Sequence, residues 1–159
     1  MKRAKLDEID LHILRELQAD GRITNVELAK RVGISAPPCL RRVRALEKAG
    51  FIGGYHAQLE SRALGFEVTL VAMVGLHSQA ESDLQAFEQL VGSWPLVREC
   101  YMLNGEIDFI LKCVAPDLAS FQLFLTEHLT SAPNVASVRT SLTIRESKNL
   151  PGVPIEVLE

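Results

Sequence analysis

Three residues, Gly33-Ile34-Ser35, separate two helical stretches, and so short a gap fixes the angle at which the helices meet. The second stretch, Ser35 to Gly50, reads SAPPCLRRVRALEKAG; Ala36, Leu40, Val43 and Leu46 fall on one side of a helix, with Cys39 beside them. Pro37 and Pro38 stand in the first turn, where helical N–H groups have no partner to lose, behind Ser35 as N-cap. Gly50 is the stop. The stretch before the gap, ITNVELAKRVG, opens with Thr24-Asn25-Val26-Glu27, the spacing of a reciprocal capping box, and ends at Gly33. Upstream, LDEIDLHILRELQADG places Leu6, Ile9, Ile13, Leu14 and Leu17 at helical spacing, between Asp7 as N-cap and Gly21 as stop. Two helices joined by a tight glycine-containing turn and braced by a third make a helix-turn-helix.

After Gly50, FIGGYHAQL is short, aromatic and glycine-paired, and reads as a β-ribbon or wing, with residues 57–66 as connector. The remainder alternates. Glu67–Leu76 reads as a strand apolar on both faces, Ser82–Trp94 as a helix, Val97–Leu103 and Ile107–Val114 as strands around Asn104-Gly105. Asp117 caps a helix carrying Leu118, Phe121, Leu125 and Leu129, and Val135–Arg145 is the last strand. The order β-α-β-β-α-β is the ferredoxin-like arrangement, so the fold class is α+β. A two-residue Asn-Gly turn pairs Leu103 with Glu106. That register puts Arg98, Cys100, Met102, Ile107, Phe109 and Leu111 under the helices. It puts Val97, Glu99, Tyr101, Leu103, Glu106, Asp108, Ile110 and Lys112 on a mixed face fit for a protein partner. The tail NLPGVPIEVLE, with two prolines, reads as irregular.

Composition narrows the function. The chain has 159 residues, 47% hydrophobic and 23% charged, and its longest apolar run, Leu70–Leu76, is too short for a membrane span. The opening is basic but carries Asp7, Glu8 and Asp10 where a signal peptide needs an apolar core, so the expected location is cytoplasmic. Cys39, Cys100 and Cys113 form no CxxC pair, and His12, His56, His77 and His128 are scattered, so neither a disulfide nor a metal site is expected. No nucleophile with a base and no phosphate loop is present, so no catalytic residue, cofactor or enzyme activity is expected. Residues 1–62 hold 12 Lys and Arg against 8 Asp and Glu, whereas residues 63–159 hold 5 against 12. A basic half joined to an acidic half implies two tasks, one of them binding a polyanion.

On a helical wheel Arg41, Lys48, Ala45 and Pro38 point away from the apolar side of the second helix, flanked by Arg42 and Arg44. A recognition helix needs this layout: Arg41 reaches base edges in the major groove, while Arg42 and Arg44 meet phosphates along its walls. Ser35, Pro37 and Pro38 form the first turn, whose free amides attract phosphate. Double-stranded DNA is the expected partner.

From Leu6 to Gly65 the chain resembles the leucine-responsive/asparagine-operon (Lrp/AsnC, feast/famine) transcriptional regulators, through LDEIDLHILRELQADGRITNVELAKRVGIS, PCLRRVRALEKAGFIGGYHA and Leu64-Gly65. The resemblance continues through VRECYMLNGEIDFILK, PDLASFQLFL and APNVASVRT. It implies a winged helix-turn-helix domain at residues 1–62, a ferredoxin-like αβ-sandwich effector and dimerisation domain at residues 66–148, and a C-terminal tail at 149–159. It further implies a bacterial or archaeal, nucleoid-associated protein that forms homodimers, commonly building to octamers, and an amino-acid effector bound between subunits. The matching effector residues are Leu103, Asn104, Gly105, Glu106, Asp108 and, in the last strand, Ser141; many relatives carry Ser or Thr where this chain has Asn104. Asp108 suits the α-ammonium of an amino acid and the backbone N–H groups beside Gly105 its carboxylate. The rival reading is an architectural protein that compacts DNA without an effector.

Overall fold

A computed structural model describes residues 6–158; the basic opening with Lys2, Arg3 and Lys5 lies outside the described residues. The chain forms two compact units, one of residues up to Gln58 together with the segment from Lys148, the other Leu59–Ser147.

The first unit holds α1 (Glu8–Ala19), α2 (Asn25–Arg31) and α3 (Ala36–Lys48). Asp7 caps α1 reciprocally: its carboxylate accepts from the Asp10 N–H at 2.8 Å, and Asp10 accepts from the Asp7 N–H at 3.3 Å. Thr24 accepts from the Glu27 N–H at 3.2 Å, as expected. The reciprocal half of that capping box is not made, because the Glu27 carboxylate turns to Arg31 at 3.2 Å, and Arg31 also reaches Glu16 of α1 at 2.9 Å. Ser35 starts α3 without a side-chain cap, since the N–H groups a cap would satisfy belong to Pro37 and Pro38, which have none. The helix ends as expected: Gly50 adopts φ +78°, and the Phe51 N–H closes on the Leu46 carbonyl at 3.0 Å.

Ile13, Leu28, Ala29, Val32, Cys39, Val43 and Leu46 form the core of this unit. So small a core is supplemented by polar ties between helices. Arg42 of α3 lies 2.8 Å from Asp7 and 2.7 Å from Asp10, binding α3 to the start of α1. Asn25 donates to the Ala36 carbonyl at 2.8 Å across the turn. Residues 51–59, read as a β-ribbon or wing, run irregularly and join no sheet among the described residues. The tail departs further from expectation. It packs within the first unit, ends in a short 3-10 turn at Ile155–Leu158, and buries Ile155.

The second unit runs β1 (Val68–Leu76), α4 (Glu81–Gly92), β2 (Val97–Met102), β3 (Phe109–Ala115), α5 (Leu118–Phe124) and β4 (Val135–Leu142). The strands form one antiparallel sheet in the order β2-β3-β1-β4, as the ferredoxin-like reading requires. Alternation in β1 and β3 sends Leu70, Ala72, Val74, Phe109, Leu111 and Cys113 into the core. Phe87 and Trp94 from the α4 region and Phe121 and Phe124 of α5 meet them there, with the Phe87 and Phe109 rings 4.8 Å apart. Val71, Met73, Ile110, Lys112 and Val114 occupy the other face and stay half-buried. Asp117 caps α5 through the Ser120 N–H at 2.7 Å, and one wide turn, Leu125–Leu129, continues the helix.

The β2–β3 hairpin corrects the expected register. Met102 pairs with Phe109 and Cys100 with Leu111, so six residues, Leu103–Asp108, make the loop in place of a two-residue turn. Only Gly105 of the Asn-Gly pair has positive φ, which excludes a type I′ turn. The slip is two residues, so Cys100, Met102, Phe109 and Leu111 still share the expected face. A bulge between Val97 and Glu99 moves Arg98 out to solvent and turns Val97 toward the core.

The Asp10 amide, then the Arg42 guanidinium, holds the Asp7 carboxyl below its ordinary value of 3.8. A depressed carboxylate stabilises the fold above its unfolded pKa and loses that contribution as pH falls through the folded one. Arg42→Ala is therefore expected to lower the melting temperature of the first unit by a constant amount above about pH 4. The gap to wild type narrows at lower pH. Circular-dichroism melts across an acid series check both.

Candidate nucleic-acid interface and ligand loop

α3 buries Cys39, Val43 and Leu46 and exposes Pro37, Arg41, Arg44, Ala45 and Lys48. No side chain among the described residues engages Arg41, Arg44 or Lys48. Three cations therefore stand on a helix whose orientation is fixed from behind. Arg42, expected at a phosphate, turns the other way: its guanidinium is paired with Asp10 and Asp7, which raise its pKa further. The expected first-turn anion site is also reduced. Pro37 and Pro38 have no N–H, and the Cys39 N–H is bonded to the Ser35 carbonyl at 3.2 Å, leaving the Ala36 N–H and the Ser35 hydroxyl. Sequence reasoning missed Asn25, whose amide holds the first carbonyl of α3; its place one residue after a Thr cap carried no signal for that role.

In the second unit Leu103, Asn104, Gly105 and Glu106 are exposed at the tip of the β2–β3 loop. Asp108 is not exposed with them. Its side chain is 6% exposed and turned inward, accepting from the Leu76 N–H at 2.6 Å and from Gln79 Nε2 at 2.7 Å. This corrects its expected place on the open face beside Ile110. Its main chain closes the loop, the Asp108 carbonyl accepting from the Leu103 N–H at 2.8 Å. The loop after β1 is tied onward: Asn134 exchanges two hydrogen bonds of 2.9 Å with the Ser78 backbone. One polar network thus fastens three loops at the same end of the sheet. Gln79 and Ser78 gave no warning in the sequence; Pro133-Asn134 is a turn dipeptide, and Asn134 indeed adopts φ +67°.

Ser141 does not join the loop within one chain. It lies on β4 opposite Val71, whose other neighbour is Lys112, while the loop leaves the sheet beyond Phe109, paired to Val74. Two strand spacings and about 10 Å along the strands separate them. The open face around Ser141 is mixed: Val71, Met73 and Ile110 lie beside Lys112, which bonds Glu99 at 2.9 Å, and Tyr101 donates to the same Glu99 at 2.9 Å. Burial pushes the Cys113 thiol up to about 11, so it stays an unreactive core group. No group of three or more His, Cys, Asp or Glu among the described residues is placed to hold a metal, and none of their helices is long and apolar enough to cross a membrane.

The cations of α3 are expected to divide by position. Arg41→Ala is expected to relax base preference at one position per half-site, costing about 1–3 kcal/mol. Arg44→Ala weakens all sequences alike and lowers the salt slope by about one. Arg42→Ala weakens binding with the slope unchanged, because it removes a brace and not a phosphate contact. Binding to a specific and a scrambled duplex over a salt series distinguishes the three.

A family profile described as winged helix-turn-helix DNA-binding matches residues 6–52, and one described as Lrp/AsnC ligand binding domain matches residues 69–153. The chain is 61% identical over 147 residues to a leucine-responsive regulatory protein of Rhizobium meliloti, spanning 92% of this chain and 94% of that one. It is 41% identical over 143 residues to the leucine-responsive regulatory protein of Escherichia coli, spanning 90% and 87%. A crystal structure of a Neisseria meningitidis transcriptional regulator in complex with L-Met superposes with a TM-score of 0.93 at 34% identity, covering 98% of this chain and all of that one.

Proposed function

The chain belongs to the Lrp/AsnC family of DNA-binding, effector-modulated transcriptional regulators, and from that premise we propose how its residues divide the work. The observation that carries the DNA reading is the face of α3, where Arg41, Arg44 and Lys48 are exposed and no side chain among the described residues engages them, while a fourth cation, Arg42, braces the helix. Arg41 reads base edges; Arg44, Lys48 and the turn Ser35, Pro37 and Pro38 lie along the phosphates. The protein acts by binding, without catalysis or cofactor, in the bacterial cytoplasm on the nucleoid.

The effector we assign is a small amino acid; the Neisseria regulator of the same fold is in complex with L-Met. Leu103, Asn104, Gly105 and Glu106 supply the exposed cradle. Asp108, whose two oxygens already accept from Leu76 and Gln79, supports that loop from beneath. The counter-charge for the ammonium therefore passes to Glu106, the exposed acid of the loop, and the Gly105 region meets the carboxylate. Ser141 joins from another copy, since it lies too far from the loop of its own chain. The half-buried face of Val71, Met73 and Ile110 is the homodimer surface, and dimers assemble to octamers. Two α3 helices then meet half-sites about 34–36 Å apart or a multiple of that.

A thermal-shift screen of the twenty amino acids tests the effector: a binder of the native state raises the melting temperature by mass action. None raising it would favour the DNA-compacting reading instead. With the binder in hand, Glu106→Gln is expected to weaken it about tenfold, on the order of 1.4 kcal/mol. Melting temperature and effector-free DNA affinity stay as in wild type. Asp108→Asn behaves differently, because its new NH2 faces a donor, so it lowers the melting temperature even without effector. Sedimentation velocity checks the dimer: Ile110→Asp should yield monomers, and a wild-type monomer would sink the proposed surface.

A further inference from the structure

In the segment LPGVPIEVL, Ile155 is buried against the first unit while Leu150, Val153, Val157 and Leu158 stay exposed, so polar ties to α1 do much of the holding. The tail lies along a groove between α1 and residues 51–56, and the space of about 800 Å³ left there is walled by Leu14, Leu17 and Phe51 on one side and by Val153 and Ile155 on the other. Gln18 of α1 imitates a strand edge. Its Nε2 donates to the Val153 carbonyl at 2.8 Å, and its Oε1 accepts from the Val153 N–H at 2.9 Å. One side chain thus satisfies both main-chain groups of one residue, as a neighbouring strand would. Gly152 is required beside it: φ is +72°, and a Cβ there would collide with the Gln18 amide. Pro151 and Pro154 restrict the free segment in advance, which lowers the entropy lost on docking. Ile155, 5% exposed, closes the contact.

We propose that Pro151–Leu158 is a strap built for this groove, so that the DNA-binding unit is tied to the ligand domain at both of its ends. One tie is the connector after Gln58. The other is the strap, joined to β4 by residues 143–150, a tether that spans at most about 28 Å. A unit on a single extended connector samples many orientations; a second tie removes most of them before DNA arrives. In the dimer proposed above, on which this step rests, the strap narrows the range of half-site spacings that two α3 helices accept.

Hydrogen exchange on the full-length chain reads the docking without DNA or effector. The Val153 amide is expected to be protected in wild type and to exchange like free peptide in Gln18→Ala and in Gly152→Val, while amides of β1 and β3 keep their protection. Binding is then measured to duplexes whose half-sites are in phase or displaced by about half a helical turn. Wild type discriminates between them, and each released variant loses discrimination on the order of threefold or more. An unprotected Val153 in wild type, or undiminished discrimination in a variant shown to be released, overturns the proposal. If wild type sediments as a monomer, the dimer reading falls, and Val153 protection alone decides the strap.

Discussion

A helix that offers its cations to a polyanion cannot also be held in place by them. α3 resolves this by giving one arginine away: Arg42 faces backward to Asp7 and Asp10, and Arg41, Arg44 and Lys48 face outward. The two carboxylates are themselves bound into the reciprocal cap of α1, so one constellation starts a helix and orients another. Without it the seven buried residues of this core would have to fix the recognition angle alone. Apolar contact is not directional, and a set of near-equal packings would compete. Charged hydrogen bonds at defined distances select one of them.

The β2–β3 loop end of the second unit repeats the division between support and display. Asp108 is buried and spent on Leu76 and Gln79, while the residues before it stand exposed above the sheet. A buried carboxylate is tolerable only with donors supplied, and here the main chain and a carboxamide supply them. The rigid part of the loop is thus its base, and its tip, with Asn104, is left exposed.

Local features were legible in the sequence. The Asp7, Thr24 and Asp117 caps, the Gly50 stop and the βαββαβ order each depend on neighbours a few residues apart or on simple periodicity. Which residues of the hairpin share a face was also readable, because a slip of two residues preserves alternation. What stayed hidden depends on distant partners. Arg42 meets acids 32 and 35 residues away, Asp108 is drawn inward by an amide of another strand, and the tail has meaning only against a groove on α1. Arg98 was misplaced for a different reason: a single-residue bulge shifts parity on one side of itself, and periodicity has no means of announcing it.

That bulge bears on how copies of the chain add to one another. β2 is an outer strand of the sheet, and the unsatisfied peptide groups of an outer strand invite another strand to attach, then another, without limit. Displacing Arg98 breaks the run of evenly spaced groups and sets a charge on the rim. The opposite outer strand, β4, is interrupted in the same manner near Gly75 and Leu76 of its neighbour. A broken register at both rims disfavours growth along the hydrogen-bonding direction, as face-to-face assembly would require. Contacts between faces can close into bodies of finite size, whereas contacts between rims propagate into fibres.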